Sequence, residues 1–183
     1  VLDNCKFINC TSSGEYGGAL GISHNDVIIR NCEFTNNTGG EGAAIMVGGI
    51  KYHHDAFLGY NIEGNNMTIE NCTFINNCAR IEGQTGTETN NGSSYPNGNA
   101  GAVFVYGNNT KIINTVFENN TASNDGAAMY IHGSGTIVEN STLTGNSAVN
   151  GTVYIEGSNT KITNSNFFNF SSENGAGAYV EGA

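Results

Sequence analysis

The sequence predicts an all-β fold: a single-stranded right-handed parallel β-helix, a solenoid of about six coils with two loop insertions. Three observations predict it: one short phrase recurs along the chain, two further strand-like phrases keep pace with it, and no segment has helical periodicity. Stacking the coils about 4.8 Å apart would align equivalent residues and bury their apolar side chains together. The right hand is expected from the general chirality of parallel strand connections.

The phrase that organises the chain is an asparagine, a small residue, a variable residue and a large apolar residue. It occupies residues 4–7, 31–34, 71–74, 114–117, 140–143 and 164–167. Its asparagines lie 27, 40, 43, 26 and 24 residues apart, and the longer spacings indicate insertions at 48–64 and 79–100. Residues 1–183 are therefore predicted to form one β-helix segment, which we expect to be part of a longer protein.

Two more strands complete each coil. The second strand follows small residues and covers 19–22, 44–47, 102–105, 128–131, 152–155 and 177–180. The third covers 27–29, 67–69, 110–112, 136–138 and 160–162. An antiparallel sandwich is the competing fold, but it leaves columns of identical residues without a reason to exist.

Alternation along each strand predicts which side chains face the core. One inward column is expected to hold Cys5, Cys32, Cys72, Thr115, Ser141 and Ser165. The next is expected to hold Phe7, Phe34, Phe74, Phe117, Leu143 and Phe167. Two residues further on, stacked side-chain amides are predicted to form a hydrogen-bonded ladder of Asn9, Asn36, Asn76, Asn119 and Asn169, interrupted by Gly145. Such a ladder would account for much of the excess of asparagine, which numbers 30.

The outward side of the second strand is the candidate binding surface. Its aromatic residues on consecutive coils predict a flat exposed stripe, which is either a self-stacking ladder or an interaction site. With the histidines of the first insertion, the candidate ligand-binding residues are Phe104, Tyr106, Tyr130, His132, Tyr154, Glu156, Tyr179, His53 and His54.

Composition narrows the function classes. With 16 acidic and 6 basic residues the net charge is -10, which argues against nucleic-acid binding. No apolar run is long enough to cross a bilayer, so no membrane insertion is expected within this segment. No cofactor and no metal site are expected, because paired cysteine or histidine spacings are absent. Arg30, a candidate base for a polysaccharide lyase, is expected to pair with Glu70.

The predicted β-helix accounts for the cysteines and for many of the N-glycosylation sequons. Cys5, Cys32 and Cys72 are expected to be buried free thiols, because equivalent positions of stacked coils give a poor disulfide torsion. Sequons recur, as at residues 36–38, 91–93 and 108–110. Those at ladder positions are expected to be buried and unmodifiable.

Two phrases carry a resemblance to a family. A glycine-rich phrase running into an aliphatic residue occupies 17–20, with variants at 42–45 and 126–129, and an FxxN phrase occupies 34–37, 74–77 and 117–120. These phrases resemble the polymorphic outer membrane protein repeats and the adhesin-like surface proteins of methanogenic archaea. The resemblance implies an extracellular, cell-surface protein that mediates cell adhesion. Its expected partner is a carbohydrate, which it would bind on a cell surface, or a protein on another cell.

Three functions follow as hypotheses. The first is a non-catalytic adhesin-like β-helix that attaches to cells, glycans or surfaces. The second is a carbohydrate-active enzyme, a lyase or glycoside hydrolase, with its site near His53, His54 and His132. The third is a structural stalk or surface-layer segment. Unpaired strand edges at both end coils predict contacts there with flanking coils or neighbouring chains.

Overall fold

The computed structural model describes residues 1–12, 17–52, 59–62, 64–80, 88–90, 93–95 and 98–181. Three six-stranded sheets run the length of these residues, and each takes one strand from every coil. All strands that pair between coils are parallel, so the predicted parallel β-helix is confirmed and the antiparallel sandwich is wrong.

Each sheet is named here after its commonest large residue. The Phe sheet contains Lys6–Ile8, Glu33–Thr35, Thr73–Ile75, Val116–Glu118, Thr142–Thr144 and Asn166–Phe168. The Tyr sheet contains Leu20–Ile22, Ile45–Val47, Val103–Val105, Met129–Ile131, Val153–Ile155 and Ala178–Val180. The Ile sheet contains Leu2–Asp3, Ile28–Arg30, Thr68–Glu70, Lys111–Ile113, Ile137–Glu139 and Lys161–Thr163.

Shorter elements lie between the Phe and Tyr strands and inside the insertions. A three-stranded parallel sheet is formed by Thr38–Gly39, Cys78–Ala79 and Thr121–Ala122. Antiparallel hairpins pair Gly49–Tyr52 with Gly59–Ile62 and Glu88–Asn90 with Ser93–Tyr95. The coil itself extends into both predicted insertions, because the Gly48 amide donates to Ile22 and the Arg80 amide donates to Gly39, each at 2.8 Å.

The core is built from columns of like residues. Strand register pairs Phe74 with Phe34 on one side and with Phe117 on the other. Their rings stack at centroid distances of 4.9 Å in both pairs, and all three side chains have no exposed surface. The predicted Phe column is thus confirmed, although Phe7 and Phe167 are only half-buried because they lie in the end coils.

Asparagines turn the chain at both ends of every Phe strand. The corner before it is Asn4, Asn31, Asn71, Asn114, Asn140 or Asn164, and the corner after it is Asn9, Asn36, Asn76, Asn119, Gly145 or Asn169. These asparagines have φ between 51° and 56°, and Gly145 has φ of 64°. Asparagine and glycine adopt this left-handed conformation more easily than other residues, which explains both columns.

The buried amide ladder lies one residue later than predicted. It consists of Asn37, Asn77, Asn120 and Asn146, all fully buried. Each Nδ2 in the first three donates to the next Oδ1 at 2.9 to 3.0 Å, and the Asn77 Nδ2 also reaches the Phe34 carbonyl at 3.0 Å. The corner residues predicted for this role are exposed, because the left-handed corner points its own side chain outward and the following one inward.

The cysteine column faces the core as predicted, and its thiols act as hydrogen-bond donors. Cys72 donates to the Glu70 carbonyl at 3.2 Å, as Ser141 donates to the Glu139 carbonyl at 3.0 Å in the same column. All five cysteines are unpaired with one another, and burial raises the pKa of Cys72 to about 11. Cys5, which lies in the first coil, is only half-buried, so the expectation that it is buried is wrong for this residue.

Candidate binding face

The outward aromatic residues of the Tyr sheet form a cluster of their own, separate from the core. It contains Met46, Ala100, Phe104, Tyr130 and Tyr154. The predicted outward direction is correct, but the predicted exposure is wrong: Phe104 is 2%, Tyr130 8% and Tyr154 6% exposed. The sequence alternation reports which side of the sheet a residue occupies, and it does not report what covers that side.

Neighbouring rings provide the cover. Tyr130 stacks on Phe104 at 4.6 Å and on Tyr154 at 4.7 Å, and Tyr154 stacks on Tyr179 at 5.2 Å. Both faces of the Tyr130 and Tyr154 rings are therefore occupied by other rings. A sugar could not stack on those faces, so these two residues and Phe104 serve as a structural ladder.

A glycine lets the preceding turn pack against this ladder. Gly42 has φ of +56°, and a Cβ built on it would lie 2.3 Å from the Ile45 carbonyl oxygen and 3.0 Å from the Cβ of Phe104. A larger residue at this position would be strained and would displace the turn from the sheet. The glycine-rich phrase noted in the sequence is thus required by close packing.

The buried tyrosine hydroxyls tie adjacent coils together. Tyr130 donates its hydroxyl to Glu156, and Tyr154 donates its hydroxyl to Glu181, each acceptor belonging to the following coil. Burial raises the pKa of both tyrosines well above the ordinary range, and the adjacent carboxylates raise it further. Both hydroxyls therefore remain protonated donors at physiological pH.

Beside the ladder runs a second column, which we name the polar row: Tyr106, His132, Glu156 and Glu181. The Tyr106 and His132 rings lie 4.7 Å apart, and His132 Nδ1 lies 3.6 Å from a Glu156 carboxylate oxygen. The side chains of His132 and Glu156 are 48% and 33% exposed. The polar row, with half-buried Tyr179, is the part of the predicted site that a ligand can reach.

On the other side of the ladder lies a mixed amide and carboxylate column that the sequence reasoning missed. Asn150 donates to Asp125 at 2.6 Å, and Asn174 donates to Asn150 at 2.8 Å. Burial raises the pKa of Asp125. The hydrogen bond from Asn150 lowers it in part, and the negative charges of Glu181 and Glu156 raise it further. The signal that could have revealed it is the Asn or Asp that directly precedes a glycine in three coils, at Asp125, Asn150 and Asn174.

Arg30, the candidate base for a lyase, takes part in an ion pair on the surface of the Ile sheet. Arg30 pairs with Asp3 at 2.8 Å, with Glu70 contributing only a weaker electrostatic attraction. The expected Arg30–Glu70 pair is thus wrong: Arg30 pairs with Asp3 on the strand before it, and not with Glu70 on the strand after it. His53 and His54 lie outside the described residues. Within the described ranges, no group of three or more His, Cys, Asp or Glu side chains is arranged to hold a metal ion.

Comparison with known proteins returned no matching family model, no matching curated protein and no matching solved structure. Among the described residues there is no helix long and apolar enough to span a bilayer.

Proposed function

We propose that this chain is a non-catalytic, extracellular, adhesin-like β-helix that attaches to glycans on cells or surfaces through the polar row. The observation that carries the proposal is the arrangement of Tyr106, His132, Glu156 and Glu181, which come from four consecutive coils. Equivalent positions in parallel strands recur about every 4.8 Å. The row thus offers a straight series of hydrogen-bonding groups to an extended ligand.

The row is held in place before a ligand arrives. Tyr130 fixes the Glu156 carboxylate, Tyr154 fixes the Glu181 carboxylate, and both tyrosines are themselves locked in the aromatic ladder. Side chains that are already ordered lose little conformational entropy on binding. This preorganisation supports recognition of a weakly interacting, repetitive ligand such as a polysaccharide.

Charge favours neutral sugars and amino sugars over acidic ones. Glu156 and Glu181 lie within the row, Asp125 is close enough to feel both charges, and the whole chain carries a net charge of -10. An acidic polysaccharide would be repelled, whereas a protonated amino group would be attracted. The same field argues against a lyase for acidic polysaccharides.

A glycan array with three versions of the protein tests the proposal. We expect the wild type to bind amino sugars most strongly, neutral glycans next and acidic glycans least. Glu156→Gln keeps an acceptor for Tyr130 and should lower binding of amino sugars about tenfold, the loss of one charged hydrogen bond. Glu139→Gln is the matched control, because it removes the same charge from the Ile sheet, away from the polar row, and should bind like the wild type.

A structural spacer is the second candidate, and the burial of the aromatic ladder favours it. A chain that only separates a binding domain from a cell needs stiff, tied coils and no ligand. If neither wild type nor variants bind any glycan above background, the spacer is the better account. Release of new reducing ends or unsaturated sugars from a bound glycan would instead support the carbohydrate-active enzyme.

A further inference from the structure

The exposed corners after the Phe strands carry asparagines in N-glycosylation sequons, so the expectation that sequons at the predicted ladder positions are buried is wrong. Asn36, Asn119 and Asn169 each precede, by two residues, a Thr or Ser, and all three are exposed with φ between 53° and 55°. Their side-chain amides make no hydrogen bond to the described part of the chain. The buried ladder uses the next residue, so a modification at the corner leaves the ladder intact.

The accepting group and the required hydroxyl point the same way at these corners. Asn37 and Asn120 face inward and are fully buried, so the residues on either side of each face outward. Thr121 is exposed and Thr38 is half-exposed. By contrast, in the sequon at 150–152, the Asn150 amide is bonded to Asp125 and Thr152 is 1% exposed.

From the second coil onward, the sequons at this corner alternate along the solenoid. The second, fourth and sixth coils carry one at this corner, whereas the third has Cys78 and the fifth has Gly145 in place of a required residue. Two coils span about 10 Å, which leaves room for a glycan that adjacent coils would not. The first coil departs from the alternation, since Asn9 is also followed by a threonine at Thr11.

We propose that Asn36, Asn119 and Asn169 are N-glycosylation acceptors that form a column of glycans along this edge. The donor is a polyprenyl phosphate-linked or pyrophosphate-linked oligosaccharide. The Asn Nδ2 forms a bond to the anomeric carbon, the bond from that carbon to the phosphate oxygen breaks, and the lipid phosphate leaves with the electron pair while the amide loses a proton. The inference rests on the extracellular location in the proposed function.

Secretion of the chain from yeast tests this inference. The folded product is treated with an amide-cleaving glycosidase in heavy-oxygen water, which leaves a labelled aspartate at every formerly glycosylated asparagine. Peptide mass spectrometry should find most molecules labelled at positions 36, 119 and 169 and few at position 150. Thr121→Val should abolish the label at 119, and Thr121→Ser should restore it.

A relocation variant provides the sharper test. Thr38→Val and Thr121→Val together destroy the sequons of Asn36 and Asn119, in the coils on either side of Asn76. Cys78→Thr then completes a sequon at the Asn76 corner. The label should move to Asn76. A secreted, β-rich wild-type protein without label at 36, 119 and 169, or with equal label at 150, overturns the inference. Glycan-array binding by the deglycosylated protein is read separately, so failure here is distinct from failure of the proposed function.

Discussion

At the scale of single residues, neighbouring asparagines at one corner have opposite environments. Asn76 is exposed and turns the chain in the left-handed conformation, whereas Asn77 is fully buried and accepts both the Asn37 amide and the Asn37 Nδ2 at 3.1 and 2.9 Å. Residue type alone cannot separate the two. Their contributions to stability should therefore differ strongly.

Replacing Asn77 should be far more costly than replacing Asn76. Asn77→Ala leaves the buried Asn37 backbone amide without its acceptor and removes the side-chain bond to the Phe34 carbonyl, and an unpaired buried group costs about 1 to 3 kcal/mol. Asn76→Gly keeps the left-handed turn and should change the free energy of unfolding by less than about 1 kcal/mol. Chemical denaturation measures both, and equal losses would contradict the ladder.

Asp125→Asn should stabilise the protein at neutral pH. The folded-state pKa of Asp125 is raised, so its contribution to stability is full below the unfolded pKa and is lost as pH rises through the folded value. Asparagine removes this loss and still accepts from Asn150. Thermal melts from pH 3 to 8 should show a flatter pH dependence for Asp125→Asn than for the wild type, and equal slopes would contradict this account of Asp125.

The sequence predicted most of the residue faces, and its errors have physical causes. Period-2 alternation correctly placed Phe74 and Cys72 inward, because it holds along each strand. It failed at Asn76, since a left-handed corner interrupts the alternation by one residue. The bond from Tyr130 to Glu156 joins different coils diagonally, and spacing within one repeat carries no signal for it.

At the scale of elements, two stacks of rings run in parallel along the solenoid. The Phe stack fills the core, and the aromatic ladder containing Tyr130 and Tyr154 covers the outer side of the Tyr sheet. Tyr130 and Tyr154 each have another ring on both faces, so both stacks should contribute to stability. Removal of a ladder tyrosine should therefore destabilise the fold.

On the Phe sheet, truncation of an inward-facing ring should destabilise the fold and truncation of an outward-facing ring should not. Phe74→Ala leaves a cavity in a close-packed core and should cost about 3 to 5 kcal/mol. Phe168 lies on the same sheet but faces outward and is 50% exposed, so Phe168→Ala should cost less than about 1 kcal/mol. If the midpoints of urea denaturation of the two variants coincide, the stack does not support the fold.

The aromatic ladder should behave similarly despite lying outside the core. Tyr154→Ser removes a ring packed between two others and should lower the free energy of unfolding by at least about 2 kcal/mol. Tyr154→Phe keeps the ring and loses only the bond to Glu181, at a cost of about 1 kcal/mol. A serine variant as stable as the phenylalanine variant would show that stacking contributes nothing.

At the scale of the whole molecule, repeated and varied positions have separate roles. Columns that keep one residue type, such as the Phe column and the buried Asn37 to Asn146 ladder, hold the coils in register. The polar row changes residue type from coil to coil, from Tyr106 to His132 to Glu156. A specific contact surface requires such variation within a repeated framework. The central claim of the proposed function is that the polar row is this surface.

An NMR titration with an amino-sugar oligomer tests that claim most directly. The backbone amides of His132, Glu156 and Glu181 should shift with increasing oligomer, and those of Ile113 and Glu139, on the Ile sheet, should not. The same titration of Glu156→Gln should require about tenfold more oligomer. Shifts centred on the Ile sheet, or no shifts on the Tyr sheet, would contradict the assignment of the polar row as the binding surface.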